Sequence, residues 1–476
     1  MMTPEGERLR ATRSEVLGLL AITLVAAALR VYRLGDWLPY ADELLGRARM
    51  ERGVIEVPLS PVGYLPIAGI TWLFGWEPWA MRLWPCLIGI ATVPVLYLVG
   101  RKLGGRSMAM WAAALLAIAP WHIAESQFAR HYPQQLLLGL LTVYFLFIAT
   151  ERNATRSYLL AALMAVLMIF TRMSSVCLMA PLIGYCGLLL VWPSLRPSVL
   201  SWRRVISLMA AFAALIFVGW LLNLTVYTSR GPYGRSPFHV VATMAYYFTP
   251  SAVLAAAVAA LAGLHARNRM VILLGVYAFG TIAVVAVLAV GRVSLGVVTF
   301  MGLPGVILLA AWAIARLADR LVGPERWLAP ILGFALLGSS AVLDYEYFTI
   351  AHGWRPRFED AAAYIARRAA PSEHVFINRN PANMQGAMDR YDSSLRLRWL
   401  TAVPAALPTD RRTWFVVEDL YSMWDLPDPN RQWLDDHAQL MTVLPAYIGP
   451  RSRSLWIYAY PPTRQAGATA GATAQP

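Results

Sequence analysis

Two adjacent carboxylates, Asp42 and Glu43, are the first residues in this chain whose type and position could do chemistry. They follow the first apolar segment of a chain in which only 14% of the residues are charged. Carboxylates at a membrane surface lose part of their hydration, so they are retained mainly where they have a function. One such function is a general base that takes a proton from an acceptor hydroxyl. For Asp42 the structural alternative is a helix cap.

The residues after this pair favour an interfacial helix that begins at Asp42 and runs to Gly53. In that helix Glu43 and Arg47 are four residues apart and can form an ion pair. The residue four positions after Asp42 is Gly46, which offers no partner. Because adjacent helical residues point about 100° apart, Asp42 is predicted to face a cavity while Arg47 holds Glu43. Glu43 is also a candidate substrate-binding residue, and a largely structural role is its alternative.

A second polar stretch, residues 121–133, lies at the end of the third predicted apolar span, on the same membrane face as Asp42. Arg130 suits a phosphate ligand because its planar guanidinium can bind two oxygens at once. An interfacial aromatic belt with a snorkelling arginine is the alternative, and it explains the aromatic residues better than Arg130. The candidate substrate-binding residues of this stretch are Glu125, Arg130, His131 and Tyr132.

The proline-rich segment 56–66 is predicted to be non-helical, because its prolines interrupt a regular helix. Irregular backbone near membrane depth is tolerated where it is buried or lines a cavity. Tyr64, within this segment, is a candidate hydrogen-bond donor to substrate, and a simple loop anchor is the alternative.

Further candidates lie in two loops predicted on the outer face. The loop 227–239 carries Arg230 and Arg235 among glycines, which suits an anion-binding lid, and Arg292 lies in a short outer turn. His239 is a candidate metal ligand, although an isolated histidine is more often structural. No cofactor is required by any motif, and a divalent metal stays an open alternative.

The composition identifies the elements that must position these residues as membrane spans. The 476 residues are 58% hydrophobic, with a mean hydropathy of +0.51, which is typical of an integral membrane protein. The net charge of +14 would suggest nucleic-acid binding in a soluble chain. Here the basic residues lie between apolar segments without an aromatic-lined basic groove, so nucleic acid is excluded as a partner.

The apolar runs predict an all-α polytopic domain of about 11 transmembrane helices over residues 1–345. With the N-terminus in the cytoplasm, roughly twice as many basic residues fall inside as outside, which favours that orientation. The runs lie near 15–34, 80–100, 107–124, 134–150, 157–173, 176–192, 205–223, 249–264, 270–290, 296–315 and 327–345.

The composition becomes polar after the last span, and residues 346–462 are predicted to form a small extracytoplasmic α/β domain. The pattern predicts helices at about 357–369 and near 431–440. It predicts strands at 374–378, 413–418, 441–447 and 454–460. The Ala/Gly/Thr-rich tail 463–476 is predicted to be disordered.

The order of these features resembles the polyprenyl-phosphate-sugar-dependent membrane glycosyltransferases of the GT-C fold, a superfamily that includes the protein O-mannosyltransferases and the lipid A aminoarabinose transferase. The resemblance covers residues 15–180 best. Where many relatives carry a His-Pro-Pro or Glu-Lys-Pro-Pro element, this chain has residues 59–64, without an imidazole or a charged group. The resemblance rests on residues 28–34, the Asp42-Glu43 pair, and residues 60–66, 81–101 and 126–132.

The resemblance implies a glycosyltransferase that moves a sugar from a polyprenyl-phosphate-linked donor to an extracytoplasmic glycan, lipid or protein acceptor. By position, Asp42 is the expected catalytic carboxylate and Arg130 lies beside the donor phosphate. Inversion at the sugar carbon and a multi-pass location in a bacterial inner membrane are the further expectations.

Two other classes of function stay open. A transporter or flippase of lipid-linked sugars would also explain outer arginines and a cavity, but it predicts pseudo-symmetric halves, and no internal repeat is evident. An envelope-assembly scaffold would place the function in the C-terminal domain. Release of polyprenyl phosphate by the purified protein separates an enzyme from both.

Overall fold

The computed structural model describes residues 12–53, 60–224, 237–291, 296–370, 373–378, 381–389, 396–400, 407, 411–418, 429–448, 451–452 and 454–461. The chain divides into two compact units. The membrane unit comprises Met1–Trp37 and Asp42–Tyr347, and the C-terminal unit comprises Leu38–Ala41 and Phe348–Pro476. The short segment Leu38–Ala41 therefore belongs, by its contacts, to the C-terminal unit.

The membrane unit is helical throughout its described part, as predicted. Its helices are α1 (Arg13–Val31), α2 (Ala41–Glu51), α3 (Pro61–Phe74), α4 (Pro78–Ala117), α5 (Pro120–Ser126), α6 (Tyr132–Arg152), α7 (Thr155–Thr171), α8 (Met179–Val191), α9 (Trp202–Leu224), α10 (Pro237–Tyr247), α11 (Pro250–His265), α12 (Arg269–Gly275), α13 (Thr281–Gly291), α14 (Leu303–Arg320) and α15 (Leu328–Tyr345).

Within the described residues, eight helical stretches are long and apolar enough to cross a membrane, or nine if α10 and α11, bent by 103°, form one span. The sequence predicted about eleven. One source of the difference is α7, which is apolar but has only 17 residues. Another is α4, whose 40 residues cover two of the predicted spans.

The two spans within α4 are separated by Gly105, whose φ of 87° and ψ of −173° break the helix. A Cβ added at Gly100 would lie 3.2 Å from the Cα of Ala109. Residues nine positions apart in a straight helix are ~13 Å apart, so the chain must turn back at Gly105. Glycine is needed there because other residues rarely adopt a positive φ.

The prediction of a non-helical segment at 56–66 is wrong from Pro61 onward, where α3 begins. Pro61 is the first helical residue, and a proline there loses no hydrogen bond. Pro66 lies inside the helix and cannot donate to the carbonyl of Val62. Gln134 Nε2 donates to that carbonyl instead, at 3.2 Å, so the helix tolerates the proline. Residues 54–59 lie outside the described part.

The C-terminal unit contains a five-stranded sheet in the order β2-β1-β3-β7-β4. Strands β1, β2 and β3 are parallel, whereas β7 is antiparallel to both β3 and β4. Its elements are α16 (Phe358–Ala366), β1 (His374–Ile377), α17 (Pro381–Met388), β2 (Arg396–Trp399), β3 (Thr413–Glu418), α18 (Pro429–His437), β4 (Gln439–Leu444), β5 (Tyr447–Ile448), β6 (Arg451–Ser452) and β7 (Leu455–Tyr460).

One core of this unit joins α16 and α17 to one face of the sheet, around Ile365, Met384 and Val416. Leu38 and Tyr40 pack against the same core, which explains why their segment belongs to this unit. The predicted α/β character of the region is confirmed. Strand β2 and helix α17 are elements that the sequence pattern did not reveal.

Candidate active site

Helix α2, which presents Asp42, is anchored by a fully buried ion pair between Glu43 and Arg82 of α4. Both side chains are 0% exposed. Arg82 Nε lies 2.8 Å from Glu43 Oε1, and its second nitrogen NH2 lies 3.0 Å from Oε2, so the contact is bidentate. Arg82 NH1 also donates to the carbonyls of Leu34 and Trp37, both at 2.9 Å. One guanidinium therefore joins α4, the segment that follows α1 and the start of α2.

The predicted pair of Glu43 with Arg47 is wrong. Arg47 pairs with Glu51 at 2.8 Å, and both side chains are more than 40% exposed. A spacing of four residues permits Arg47 to pair with Glu43 or with Glu51. Glu43 instead binds Arg82, whose buried guanidinium contacts both carboxylate oxygens. The i,i+4 contact therefore forms on the surface while Glu43 faces inward.

Glu43 also connects α2 to the turn between α5 and α6. Its Oε1 accepts a hydrogen bond from the backbone N–H of Ala129 at 2.9 Å. The next residue, Arg130, donates from NH1 to the carbonyl of Asp42 at 3.1 Å. Its NH2 lies 3.9 Å from Asp42 Oδ2. The carboxylate and the guanidinium that the sequence predicted on one membrane face are thus neighbours.

The two charged groups differ in exposure. The side chain of Asp42 is 55% exposed, whereas that of Arg130 is 11% exposed. Arg130 Nε is buried and has no hydrogen-bond partner among the described residues. The site therefore contains the accessible carboxylate of Asp42 beside the largely buried guanidinium of Arg130, whose Nε–H is available to donate a hydrogen bond.

Tyr64 of α3 is 2% exposed and contacts the residue that follows Arg130. Its ring packs edge-on against His131, with 4.9 Å between ring centroids. A Cβ added at Gly46 would lie 3.3 Å from Tyr64 Cε1, so the glycine in α2 leaves the space that the ring needs. The electrostatic contact of Tyr64 with Arg130 places it in the same cluster.

Arg172, at the end of α7, is a site residue that the sequence analysis did not select. Its guanidinium carbon lies 4.3 Å from the centre of the Tyr132 ring, and Arg130 lies 6.0 Å from the same centre. Arg172 Nε donates to Ser174 Oγ at 2.9 Å. Two guanidinium groups therefore lie near the Tyr132 ring. The sequence feature that could have identified Arg172 is its position on the predicted outer face, where basic residues are fewer than on the inner face.

Glu125 is the second carboxyl group of the cluster. Its Oε1 accepts a hydrogen bond from Trp121 Nε1 at 2.9 Å, while its buried Oε2 has no partner among the described residues. Burial raises the pKa of Glu125 to about 7, against the opposing effects of Trp121, Arg130 and Arg172. Burial, together with the two arginines, also holds the pKa of His131 well below its usual range, so that imidazole is neutral.

Gln127 fixes the turn that carries Arg130 to the end of α1. Its Nε2 lies within hydrogen-bond distance of three carbonyls there, those of Leu29, Arg30 and Tyr32, at 3.2, 3.1 and 2.6 Å. Its Oε1 accepts from Tyr347 Oη at 2.9 Å. Gln127 therefore adds buried hydrogen bonds next to the one between the Ala129 N–H and Glu43.

The remaining predicted site residues cannot be placed with this cluster. Arg230, Arg235 and Arg292 lie outside the described residues, as does the side chain of His239. Across the described ranges, no three His, Cys, Asp or Glu side chains are grouped closely enough to hold a metal ion. The described site consists of two carboxyl groups, two guanidinium groups, two phenols and a neutral imidazole. The residues that it brings together are Asp42, Tyr64, Glu125, Arg130, His131, Tyr132 and Arg172.

Comparisons with known proteins agree with this architecture. Residues 57–222 match the model of the dolichyl-phosphate-mannose-protein mannosyltransferase family. No curated protein sequence matches the chain significantly.

Two solved structures show the same fold. One is ArnT from Cupriavidus metallidurans bound to undecaprenyl phosphate, with a TM-score of 0.53 and 15% identity over 94% of this chain and 98% of that chain. The other is the Archaeoglobus fulgidus oligosaccharyltransferase in its apo form, with a TM-score of 0.52 and 12% identity over 80% of this chain and 64% of that chain.

The match over residues 57–222 supports the predicted class of enzyme, a glycosyltransferase, and the structural likeness establishes the fold. This chain is therefore a multi-pass membrane protein of the GT-C fold, and its resemblance to the glycosyltransferases of that fold is confirmed.

Proposed function

We propose that this protein transfers a sugar from a polyprenyl-phosphate-linked donor to an acceptor hydroxyl, with Asp42 as the general base. The observation that carries the proposal is the half-exposed Asp42 carboxylate held beside the guanidinium of Arg130. A general base must be accessible to its substrate, and a cation must stabilise a phosphate leaving group. Asp42 meets the first requirement and Arg130 meets the second.

In the proposed reaction, Asp42 accepts the proton of the acceptor hydroxyl as the acceptor oxygen bonds to the anomeric carbon. The bond from that carbon to the phosphate oxygen breaks, and polyprenyl phosphate leaves with the bonding electrons. Attack opposite the leaving group inverts the sugar carbon. General base catalysis contributes ~10²–10⁴-fold to such a step.

Arg130 and Arg172 are the proposed ligands of the donor phosphate. A guanidinium stabilises the charge that grows on the leaving phosphate, and this effect is larger where water is excluded. Arg130 suits this role because it is nearly buried and its Nε has no partner among the described residues. Tyr132, whose ring lies near both arginines, can donate its hydroxyl hydrogen to a phosphate oxygen.

The proposed location is a bacterial inner membrane, with the N-terminus in the cytoplasm and the C-terminal unit outside. The distribution of basic residues between the predicted loops supports this orientation. The undecaprenyl phosphate bound to the similar ArnT structure supports a polyprenyl-phosphate donor. The acceptor would then be a glycan, lipid or protein of the cell envelope.

The test measures release of polyprenyl phosphate by the purified protein in lipid nanodiscs, supplied with polyprenyl-phosphate sugars and an envelope extract as the source of acceptor. Asp42→Asn is expected to lower the rate at least ~100-fold at unchanged protein abundance. Asp36→Asn is the matched control, because Asp36 is 57% exposed and pairs with Arg33 at 3.0 Å.

Full activity of the Asp42→Asn protein would remove Asp42 as the base. Transfer of intact donor across the bilayer without release of polyprenyl phosphate would identify a flippase and reject the proposed function.

A further inference from the structure

The parallel half of the sheet in the C-terminal unit has a topological switch point between β1 and β3. The connection from β1 through α17 leads to β2 on one side of β1, and the chain then returns to β3 on the other side. In sheets of this kind, the crevice at the carboxyl ends of the two central strands is the usual ligand site. Here Asn378 directly follows β1, and Glu418 is the last residue of β3.

The chain's own segment Leu38–Ala41 is bound by residues of this crevice. The hydroxyl of Tyr40 donates to Glu418 Oε1 at 3.2 Å, and the amide of Asn383 in α17 donates to the carbonyl of Pro39. Asn378 fixes Glu418 from the neighbouring strand: its Oδ1 accepts from the Glu418 N–H at 2.9 Å, and its Nδ2 donates to the Glu418 carbonyl at 3.3 Å.

These hydrogen bonds are partly buried, because the residues of the C-terminal unit that hold the segment are shielded from water. Glu418 is 0% exposed and Asn383 is 4% exposed. Leu38 and Tyr40 also pack against the apolar core formed by the sheet, α16 and α17. The Tyr40 side chain is held through a carboxyl oxygen of Glu418, and the Pro39 backbone carbonyl is held through the amide of Asn383, so both a side-chain and a backbone group of the segment are fixed.

We propose that the C-terminal unit uses its switch-point crevice to hold the segment Leu38–Ala41, and that Glu418 is a positioning residue for Asp42. The inference rests on the proposed role of Asp42. Tyr40 precedes Asp42 by only two residues, so their Cα atoms lie within ~7.6 Å even in extended chain. Fixing the Tyr40 side chain and the Pro39 carbonyl therefore restricts the backbone from which Asp42 projects.

The expected effect is on the rate of the chemical step. A displacement of about 1 Å in a reacting group can cost ~100-fold in rate, while binding of a donor by groups elsewhere is unaffected. Tyr40→Phe removes only the hydroxyl, so kcat is expected to fall ~10-fold while the KM for the donor stays within about twofold. Glu418→Ala is expected to act in the same direction, and Glu418→Gln, which keeps an acceptor oxygen, is expected to retain most of the activity.

The experiment uses the full chain in nanodiscs and combines these kinetics with hydrogen–deuterium exchange over residues 38–46. Faster exchange there is expected in the Tyr40→Phe and Glu418→Ala proteins. Tyr364→Phe is the matched control, because the Tyr364 hydroxyl makes a similar hydrogen bond in the same unit, to the Met441 carbonyl at 3.3 Å. The control should change neither exchange over residues 38–46 nor kcat.

Unchanged exchange in both Tyr40→Phe and Glu418→Ala overturns the inference. Faster exchange with unchanged kcat also overturns it, because the segment would then be held without serving the reaction. Exchange is measured without turnover, so failure of the proposed function is seen separately, as full activity of Asp42→Asn.

Discussion

Replacing Arg82 with methionine removes the cation that neutralises Glu43 while nearly preserving side-chain volume. Glu43 would remain as a buried carboxylate with neither of its two contacts to Arg82 at 2.8 and 3.0 Å. The carbonyls of Leu34 and Trp37 would each lose a donor as well. The substitution therefore acts on α1, α2 and α4 together.

The magnitude follows from complete burial. Breaking a buried ion pair by removing one partner costs ~3–5 kcal/mol, because an uncompensated charge stays in the interior. The surface pair Arg47–Glu51 provides the matched control. An exposed pair of this kind contributes ~0–1 kcal/mol, so Arg47→Met should be close to neutral.

Thermal unfolding in nanodiscs, followed by tryptophan fluorescence, measures both effects in one series. Arg82→Met should lower Tm by several degrees, and Arg47→Met by at most about one degree. The double variant Glu43→Leu/Arg82→Met should recover part of the loss, since it leaves neither charge buried. Equal stability of the Arg82→Met and Arg47→Met proteins would refute the buried pair, and a double variant less stable than Arg82→Met would refute the charge argument.

Two further predictions concern the groups around Arg130. Because burial raises the pKa of Glu125 to about 7, this carboxyl is neutral below that pH and anionic above it, so affinity for polyprenyl phosphate should fall ~10-fold from pH 6 to pH 8. Glu125→Gln should flatten the profile, and an unchanged slope would contradict this reasoning. A Cβ at Gly63 would lie 2.8 Å from His131 Cβ, so Gly63→Ala should cost ~1–3 kcal/mol in stability. Gly69→Ala in the same helix meets no atom within 4 Å and should be neutral or slightly stabilising, as thermal unfolding of the two proteins can check.

The placement of Asp42 and Arg130 on one membrane face could be predicted from the order of the apolar spans, whereas their contact is seen only in the structure. The partner of Glu43 could not be predicted from spacing. Arg82 lies 39 positions away, and nothing in a local pattern distinguishes it from Arg47, which is four positions away. Only the packing of α2 against α4 decides which face of α2 is buried.

The proline-rich segment shows a second limit of local reasoning. A proline inside a helix leaves one carbonyl without its usual donor, and its cost depends on what else can reach that carbonyl. Gln134, in a different helix, supplies the donor for Val62. Pro66 is therefore compatible with α3 because Gln134, 72 positions after Val62, supplies the missing donor.

The C-terminal strands were recognised where they contain a run of apolar residues, as in β1, β3 and β7. Strand β2, Arg396–Trp399, is as short as β1, but two of its four residues are arginines, so it lacks the apolar run that predicts a strand. Its place at the edge of the sheet comes from pairing with β1. The position of the crevice between β1 and β3 follows from that strand order, whereas the contact of Glu418 with Tyr40, 378 positions away, is seen only in the structure.

Three carboxyl groups lie close enough to Arg130 or its turn to be considered as the base, and burial separates their roles. Glu43 is fully buried and both of its oxygens bind Arg82, so it cannot accept a substrate proton without losing its ion pair with Arg82. Glu125 has a pKa of about 7, which suits a base, but one oxygen is bound by Trp121 and the other is buried. The side chain of Asp42 is 55% exposed, and its Oδ2 lies 3.9 Å from the guanidinium of Arg130. Asp42 is therefore the most accessible of the three carboxyl groups, which is why it is the proposed base, while the proposed role of Glu125 is to set the charge beside the proposed phosphate ligands.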